Sequence, residues 1–226
     1  MPVPRSGPSR RGWLVASYAE AAAFFALEAV ARQPGEASDL TAVDSDQGTT
    51  RQIVAAYALA AGLAPLPGRL RAGRLPPVSG PAGAAMMAAG LALRAWSMRT
   101  LGAYYSRTLR TTSDQQVVQS GPYQVIRHPG YLGSIMVWTG LAVTSGSSAA
   151  AAGVTALMGH AYSRRIAAEE AMLAGRFGSA YAEYSQRTKG LFRSSGDGPV
   201  TLPHRTHRPP TVWRHDHRVH PLDGRR

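Results

Sequence analysis

From His128 to Ser163 the chain contains no Asp, Glu, Lys or Arg. An interval of that length and polarity is long enough for two passes through a bilayer. It is divided near its middle by Ser145-Gly146-Ser147-Ser148, a cluster of turn-forming residues. About 15 apolar residues remain on each side, or roughly 22 Å of helix apiece before the flanking turns. The pattern predicts a helical hairpin, and a hairpin returns its two ends to the same side. The polar clusters that bracket it, Gly121-Pro122-Tyr123 through Arg127-His128-Pro129-Gly130-Tyr131 and Arg164-Arg165 through Glu169-Glu170, are therefore expected to meet. Their meeting point is the candidate active site.

The bulk numbers bound less. With 226 residues, the chain holds one membrane domain or one to two small soluble ones. It has no cysteine, which excludes disulfides, thiolate metal ligands and cysteine nucleophiles. The net charge is +12, and of the 25 basic residues only Lys189 is a lysine. Basic residues flanking apolar segments follow the positive-inside rule and attract anionic headgroups. Nucleic acid, the competing partner for a basic chain, would call for basic residues interleaved with aromatics, and no such run is present.

Residues 1–11, with three prolines and three arginines, are expected to be disordered. A first helix is predicted from about Gly12 to Arg32, retained rather than cleaved because Glu20 interrupts the apolar run. Glu20 and Glu28 fall near one face and are expected to look into a bundle or toward the interface. An acidic loop follows over 33–50, then a second, short helix over 51–64. Residues 12–77 thus form an N-terminal membrane region, with Arg69, Arg71 and Arg74 in its last loop.

A third helix is predicted over 78–100, rich in Gly and Ala, which permits close helix contact in lipid. Arg94 and Arg99 near its end are expected to snorkel to the interface. After the hairpin, the helix bearing Arg165 is expected to leave the membrane and continue as an amphipathic stretch to Phe177-Gly178, Tyr181 and Tyr184. The catalytic core is then 78–193, and 194–226 is a basic His/Arg/Pro-rich tail. His204, His207, His215, His217 and His220 invite a metal reading, but a solvated tail is favoured, because nothing would preorganise such a site. The expected architecture is an all-α polytopic membrane helical bundle of four or five transmembrane helices, with a C-terminal hairpin and a cytosolic amphipathic helix. The distribution of Arg places its catalytic side in the cytoplasm.

Arg165 and Glu169 are four residues apart and share a helix face. An ordinary surface ion pair is one reading. However, Arg preceding Glu is the less stabilising order, and the pair sits where a membrane helix emerges, which favours a functional role. His128 can be read as a helix cap before Pro129, which suits a first helical turn, or as part of the site.

Gly121-Pro122-Tyr123, Arg127-His128-Pro129-Gly130-Tyr131-Leu132-Gly133, the apolar hairpin, Arg165-x3-Glu169-Glu170 and Phe177-Gly178-x2-Tyr181-x2-Tyr184 together resemble the C-terminal signature of the isoprenylcysteine carboxyl methyltransferase and phospholipid methyltransferase superfamily. The resemblance covers roughly residues 90–193, including Leu93-Arg94 and Thr100-Leu101-Gly102. It implies an integral-membrane methyltransferase that uses S-adenosylmethionine, without a soluble dinucleotide-type fold, and the chain has no GxGxxG loop.

By the same resemblance, cofactor contacts come from Gln115, Gln116, Val117 and Val118, from Tyr123, from His128, Pro129, Gly130 and Tyr131, and from Glu169. Arg165 faces the substrate, and Arg165 with Glu169 makes the catalytic pair. The match at 115–118 is loose. Tyr123 and Tyr131 suit the adenine or sulfonium, and Glu169 suits the cofactor's ammonium. A carboxylate acceptor is already ionised, so proximity and in-line orientation would supply most of the catalysis. An amine or thiol would need a base, with His128 or Glu170 the first candidates.

The leading expectation is carboxyl O-methylation of an isoprenoid-like or other lipophilic acceptor at a membrane, with no metal. Phospholipid N-methylation and small-thiol S-methylation are the alternatives within the class. A membrane reductase taking NADPH in the same pocket is the alternative outside it.

Overall fold

The computed structural model describes residues 9–31, 48–64, 73–105 and 116–192. The acidic loop over 33–47, Arg69 and Arg71, Gln115, the first eight residues and the histidine-rich tail lie outside the described residues. Those described form α-helices and short 3-10 turns, with two isolated bridges and no β-strand among them. The helices are α1 Arg10–Val30, α2 Thr49–Leu63, α3 Ser79–Leu101, α4 Pro129–Thr144, α5 Ser148–Phe177 and α6 Ser179–Arg187.

The hairpin is α4 and α5. Pro129 opens α4 at its first turn, where its missing N–H would have had no partner. Gly146 turns the chain with φ 80, and Ser147 caps α5 by accepting from the Ala150 N–H at 3.2 Å. The loop before α3 braces this tip: the Leu75 N–H donates to Gly146 O and the Ser148 N–H to Gly73 O. Arg10, at the start of α1, donates to the carbonyls of Leu75, Ser145 and Gly146. One end of the bundle is thereby closed far from the polar clusters.

α4 is the central helix. It packs against α1, α2, α3 and α5, and Val137, Trp138, Leu141 and Ala142 are fully buried on it. A helix apolar all round is one that neighbours must cover on every side. The α3·α4 pair is the closest. Gly83 lies against Gly140 and Gly90 against Gly133, and a Cβ built on any of the four would fall 2.6–2.7 Å from the facing carbonyl oxygen. The small-residue composition of α3 is used here, letting two backbones approach to direct contact.

Among the described helices, α1 is both long and apolar enough to cross a membrane by length and composition. The helices α2 and α4, at 15 and 16 residues, are shorter than the ~20 residues of a full span. α5 has 30 residues, roughly 45 Å at 1.5 Å each, so its C-terminal half projects beyond its partner α4 and carries Arg165, Glu169 and Glu170 with it.

Candidate functional site

The hairpin returns its ends to one another as expected. His128, at the N-cap position of α4, does not cap it with its side chain. Its Nε2 instead lies 3.0 Å from Glu170 Oε1 on α5, and its Nδ1 lies 3.8 Å from Glu169 Oε2. Arg127 Nε donates to the same Glu170 oxygen at 2.9 Å. Arg127 also joins the end of α6 to the site, donating from Nη1 to the carbonyls of Ser185 and Thr188, while its backbone N–H donates to Lys189 O. The Tyr184 hydroxyl donates to Tyr123 O at 2.9 Å. α6 is thus tied across the 123–127 segment and covers the polar end of the bundle.

These groups line a cavity of about 530 Å³. Its wall includes Gln116, Val117, Val118, Tyr123, His128, Gly130, Tyr131, Arg165 and Glu169. All the described cofactor candidates therefore meet there except Pro129, which is buried at the start of α4. Burial pushes the Tyr123 and Tyr181 hydroxyls well above the ordinary tyrosine range, with nearby carboxylates adding to the effect. Burial likewise raises Tyr184 to about 12, although the Arg127 guanidinium pulls it the other way. All three are neutral donors at physiological pH. Glu169 Oε2 and the Tyr181 hydroxyl are buried without a hydrogen-bond partner. Both residues line the cavity.

Arg165 is 2% exposed. Its Nε donates to the Tyr131 hydroxyl at 3.2 Å, and its Nη1 to the hydroxyls of Thr49 and Thr50 at 3.1 and 3.0 Å. The Tyr131 hydroxyl also meets Glu169, so one phenol links the two residues. α2 therefore contributes to the site through its first turn, which sequence reasoning did not anticipate. Threonine at a helix start reads equally well as an unremarkable cap.

Arg94 does not snorkel outward. It is buried, its Nε paired with Glu28 Oε1 of α1. Its Nη1 donates to Gly130 O and Ser134 Oγ, and its Nη2 reaches the Tyr105 hydroxyl, which donates to Glu28 Oε2. Glu28 does face the bundle, as expected of it. A buried guanidinium needs a carboxylate and full hydrogen bonding, and α1 supplies the carboxylate. The only sequence signal was an acid in one apolar helix and a base in another.

Beyond Arg94 the cavity turns apolar. Tyr57 stacks on Trp138 with centroids 4.9 Å apart, and Phe24 meets both rings edge-on. A ladder of rings links the two ends: His128 stacks on Tyr131 at 5.7 Å, Tyr131 lies against Tyr162 at 5.0 Å, and the Tyr162 hydroxyl hydrogen-bonds that of Tyr57. Phe25 and Val54 line this chamber and are also exposed on the outside of the bundle. One cavity thus joins a charged end to an aromatic end whose wall includes residues exposed on the bundle's outer surface.

The model of the isoprenylcysteine carboxyl methyltransferase (ICMT) family matches residues 83–175. A probable protein-S-isoprenylcysteine O-methyltransferase of Oryza sativa subsp. indica is 29% identical over 107 residues, which are 46% of this chain and 56% of that protein. Protein-S-isoprenylcysteine O-methyltransferase B of Arabidopsis thaliana is 29% identical over 107 residues, 46% of this chain and 54% of that one. The chain thus spans just over half the length of the curated relatives it matches. The solved structure of a eukaryotic intramembrane Ras methyltransferase, an isoprenylcysteine carboxyl methyltransferase, shares the fold, with a TM-score of 0.61 at 19% identity over 83% of this chain and 68% of that one. The segment similar to this family holds Arg94, Tyr123, Arg127, His128, Tyr131, Arg165, Glu169 and Glu170.

Proposed function

We propose that the chain is an integral-membrane methyltransferase that uses S-adenosylmethionine to methylate the carboxylate of a lipophilic, isoprenoid-like acceptor. The observation that carries this reading is the one cavity that joins buried Arg165 and half-buried Glu169 to an aromatic chamber whose lining includes the exposed Phe25 and Val54. A soluble substrate would have no use for the apolar end, and a mere membrane anchor would have none for the charged one.

The residues present fit the donor. Glu169 has a buried oxygen without a partner, suited to an ammonium, and Tyr123 and Tyr131 present aromatic faces suited to a sulfonium or a base. The site at Gln116, Val117, Val118, Tyr123, His128, Gly130, Tyr131 and Glu169 would hold it, with Gln115 and Pro129 adjoining in sequence. When bound, this cofactor supplies an activated methyl group on a sulfonium.

The remaining work falls to the protein. Arg165, oriented by Thr49, Thr50 and Tyr131, pairs with the acceptor carboxylate. The Phe24, Tyr57 and Trp138 rings hold its apolar tail. α6, tied down through Arg127 and Tyr184, excludes water from the reacting end. An ionised carboxylate needs no base, so alignment within the cavity provides the main rate gain.

Exposed Val15, Phe25, Val54, Leu59 and Leu63 on α1 and α2 give the bundle an apolar outer surface suited to lipid. We read four or five spans, with the charged end of the cavity on the cytoplasmic side. Detergent-solubilised protein should bind labelled S-adenosylmethionine and not NADPH. Product masses from membrane extract given isotope-labelled cofactor should show a methyl ester; a methylated amine or thioether would move the reading to the N- or S-methyl alternatives, and NADPH binding alone would replace it with the reductase.

A further inference from the structure

Glu170 does not itself line the cavity, yet two residues that do, Arg127 and His128, are held by it. One of its oxygens accepts from Arg127 Nε at 2.9 Å and lies 3.0 Å from His128 Nε2. A carboxylate held by a guanidinium is an acceptor, so His128 Nε2 must carry a proton. In a neutral imidazole the other nitrogen is then a bare acceptor. That nitrogen, Nδ1, stands 3.8 Å from Glu169 Oε2, which is itself buried and without a hydrogen-bond partner. Two acceptors at this separation repel unless a group with several N–H bonds donates to both.

We propose that Glu170 is a positioning residue that locks His128 in its Nε2–H form, so that His128 Nδ1 and Glu169 Oε2 together seat one ammonium, the α-ammonium of the methyl donor. The inference rests on the donor assignment above. It gives the adjacent acids Glu169 and Glu170 different tasks: the first binds the ligand, and the second fixes the imidazole that helps it. Arg127 belongs to the same device, because its bond to Glu170 holds that carboxylate pointed at the ring.

The test uses the full chain in detergent micelles. Ring nitrogens of ¹⁵N-histidine-labelled protein are observed by NMR, with His128 assigned by its loss in H128N. Binding of S-adenosylhomocysteine and of 5′-methylthioadenosine, which lacks the amino-acid end, is measured by calorimetry on wild type and E170Q. Wild type should show a protonated Nε2 and a bare Nδ1 at His128. In E170Q, whose amide can donate as well as accept, the ring should populate both tautomers. S-adenosylhomocysteine should then bind about tenfold more weakly, with methylthioadenosine unchanged.

A doubly protonated or Nδ1–H ring in wild type overturns the proposal, and that spectrum is decisive even if E170Q proves unstable. So does an E170Q effect that is absent or equal for the two ligands. Failure of wild type to bind either nucleoside would instead remove the methyltransferase reading, and this inference with it.

Discussion

Gly90 of α3 and Gly133 of α4 are packed backbone to backbone, each positioned so that a Cβ on it would lie 2.6 Å from the other's carbonyl oxygen. About two helical turns away, Gly83 and Gly140 make the same kind of contact. The two contacts set the spacing of the helix pair whose ends carry Arg94, His128 and Tyr131. Because backbone cannot yield as a flexible side chain can, G90A or G133A should lower stability by roughly 1–3 kcal/mol, read as a lower melting temperature in detergent. G159A is the control, since a Cβ there meets nothing within 4 Å, and it should be neutral or stabilising by up to about 1 kcal/mol.

The Arg94–Glu28 pair should behave as a buried ion pair. E28A leaves a guanidinium without its carboxylate and should cost about 3–5 kcal/mol. The double variant E28M/R94M removes both charges and should recover much of that loss. Thermal unfolding of E28A, of the single variants E28M and R94M and of the double variant checks this, and additive losses in the double variant would show that the pair is not coupled.

Arg165 is expected to act on the acceptor and not on the donor. R165K keeps the charge but loses the planar fork that reaches Tyr131, Thr49 and Thr50 together. Activity toward a lipophilic carboxylate, as kcat/KM, should fall roughly a hundredfold. The dissociation constant of S-adenosylhomocysteine should stay within about twofold of wild type. Steady-state kinetics paired with calorimetry separates the two effects, and equal loss in both would place Arg165 in the donor site instead.

Tyr184 supplies a pH dependence. Its hydroxyl is raised to about 12, by burial first, with Arg127 opposing and Glu169 adding, against about 10 for an unfolded tyrosine. Between those values the folded chain holds a proton that the unfolded chain has lost, so stability falls as pH rises from about 10 toward 12. Its contribution is fully present below pH 10. Y184F should flatten this part of a stability-against-pH curve. It should also cost about 1 kcal/mol at neutral pH, from the lost bond to Tyr123 O.

The helices themselves were legible in the sequence, because a bilayer-length apolar run, its breaks and a proline at a helix start are local signals. α2, α3 and the hairpin lie within two or three residues of where those signals place them. The convergence of Arg127-His128 with Glu169-Glu170 was legible for the same reason: a break halfway through a charge-free interval leaves its ends side by side. The partners of individual charges were not. Arg94 reads as a residue near a helix end and was expected at the interface, yet its carboxylate lies 66 positions away in α1. Thr49 and Thr50 reach Arg165 across more than a hundred.

What the sequence by itself determined is the helices α1 to α5, the hairpin and the end of the bundle where the polar clusters meet, all consequences of hydrophobicity along the chain. What only the tertiary structure decided is which of two adjacent glutamates faces the cavity, that Arg94 turns inward, and that one cavity runs from Glu169 to Trp138. A desolvated charge is stable only beside a partner and hydrogen-bonded on its remaining sides. Which partner is available depends on how α1 and α2 pack around α4, and no local pattern encodes that.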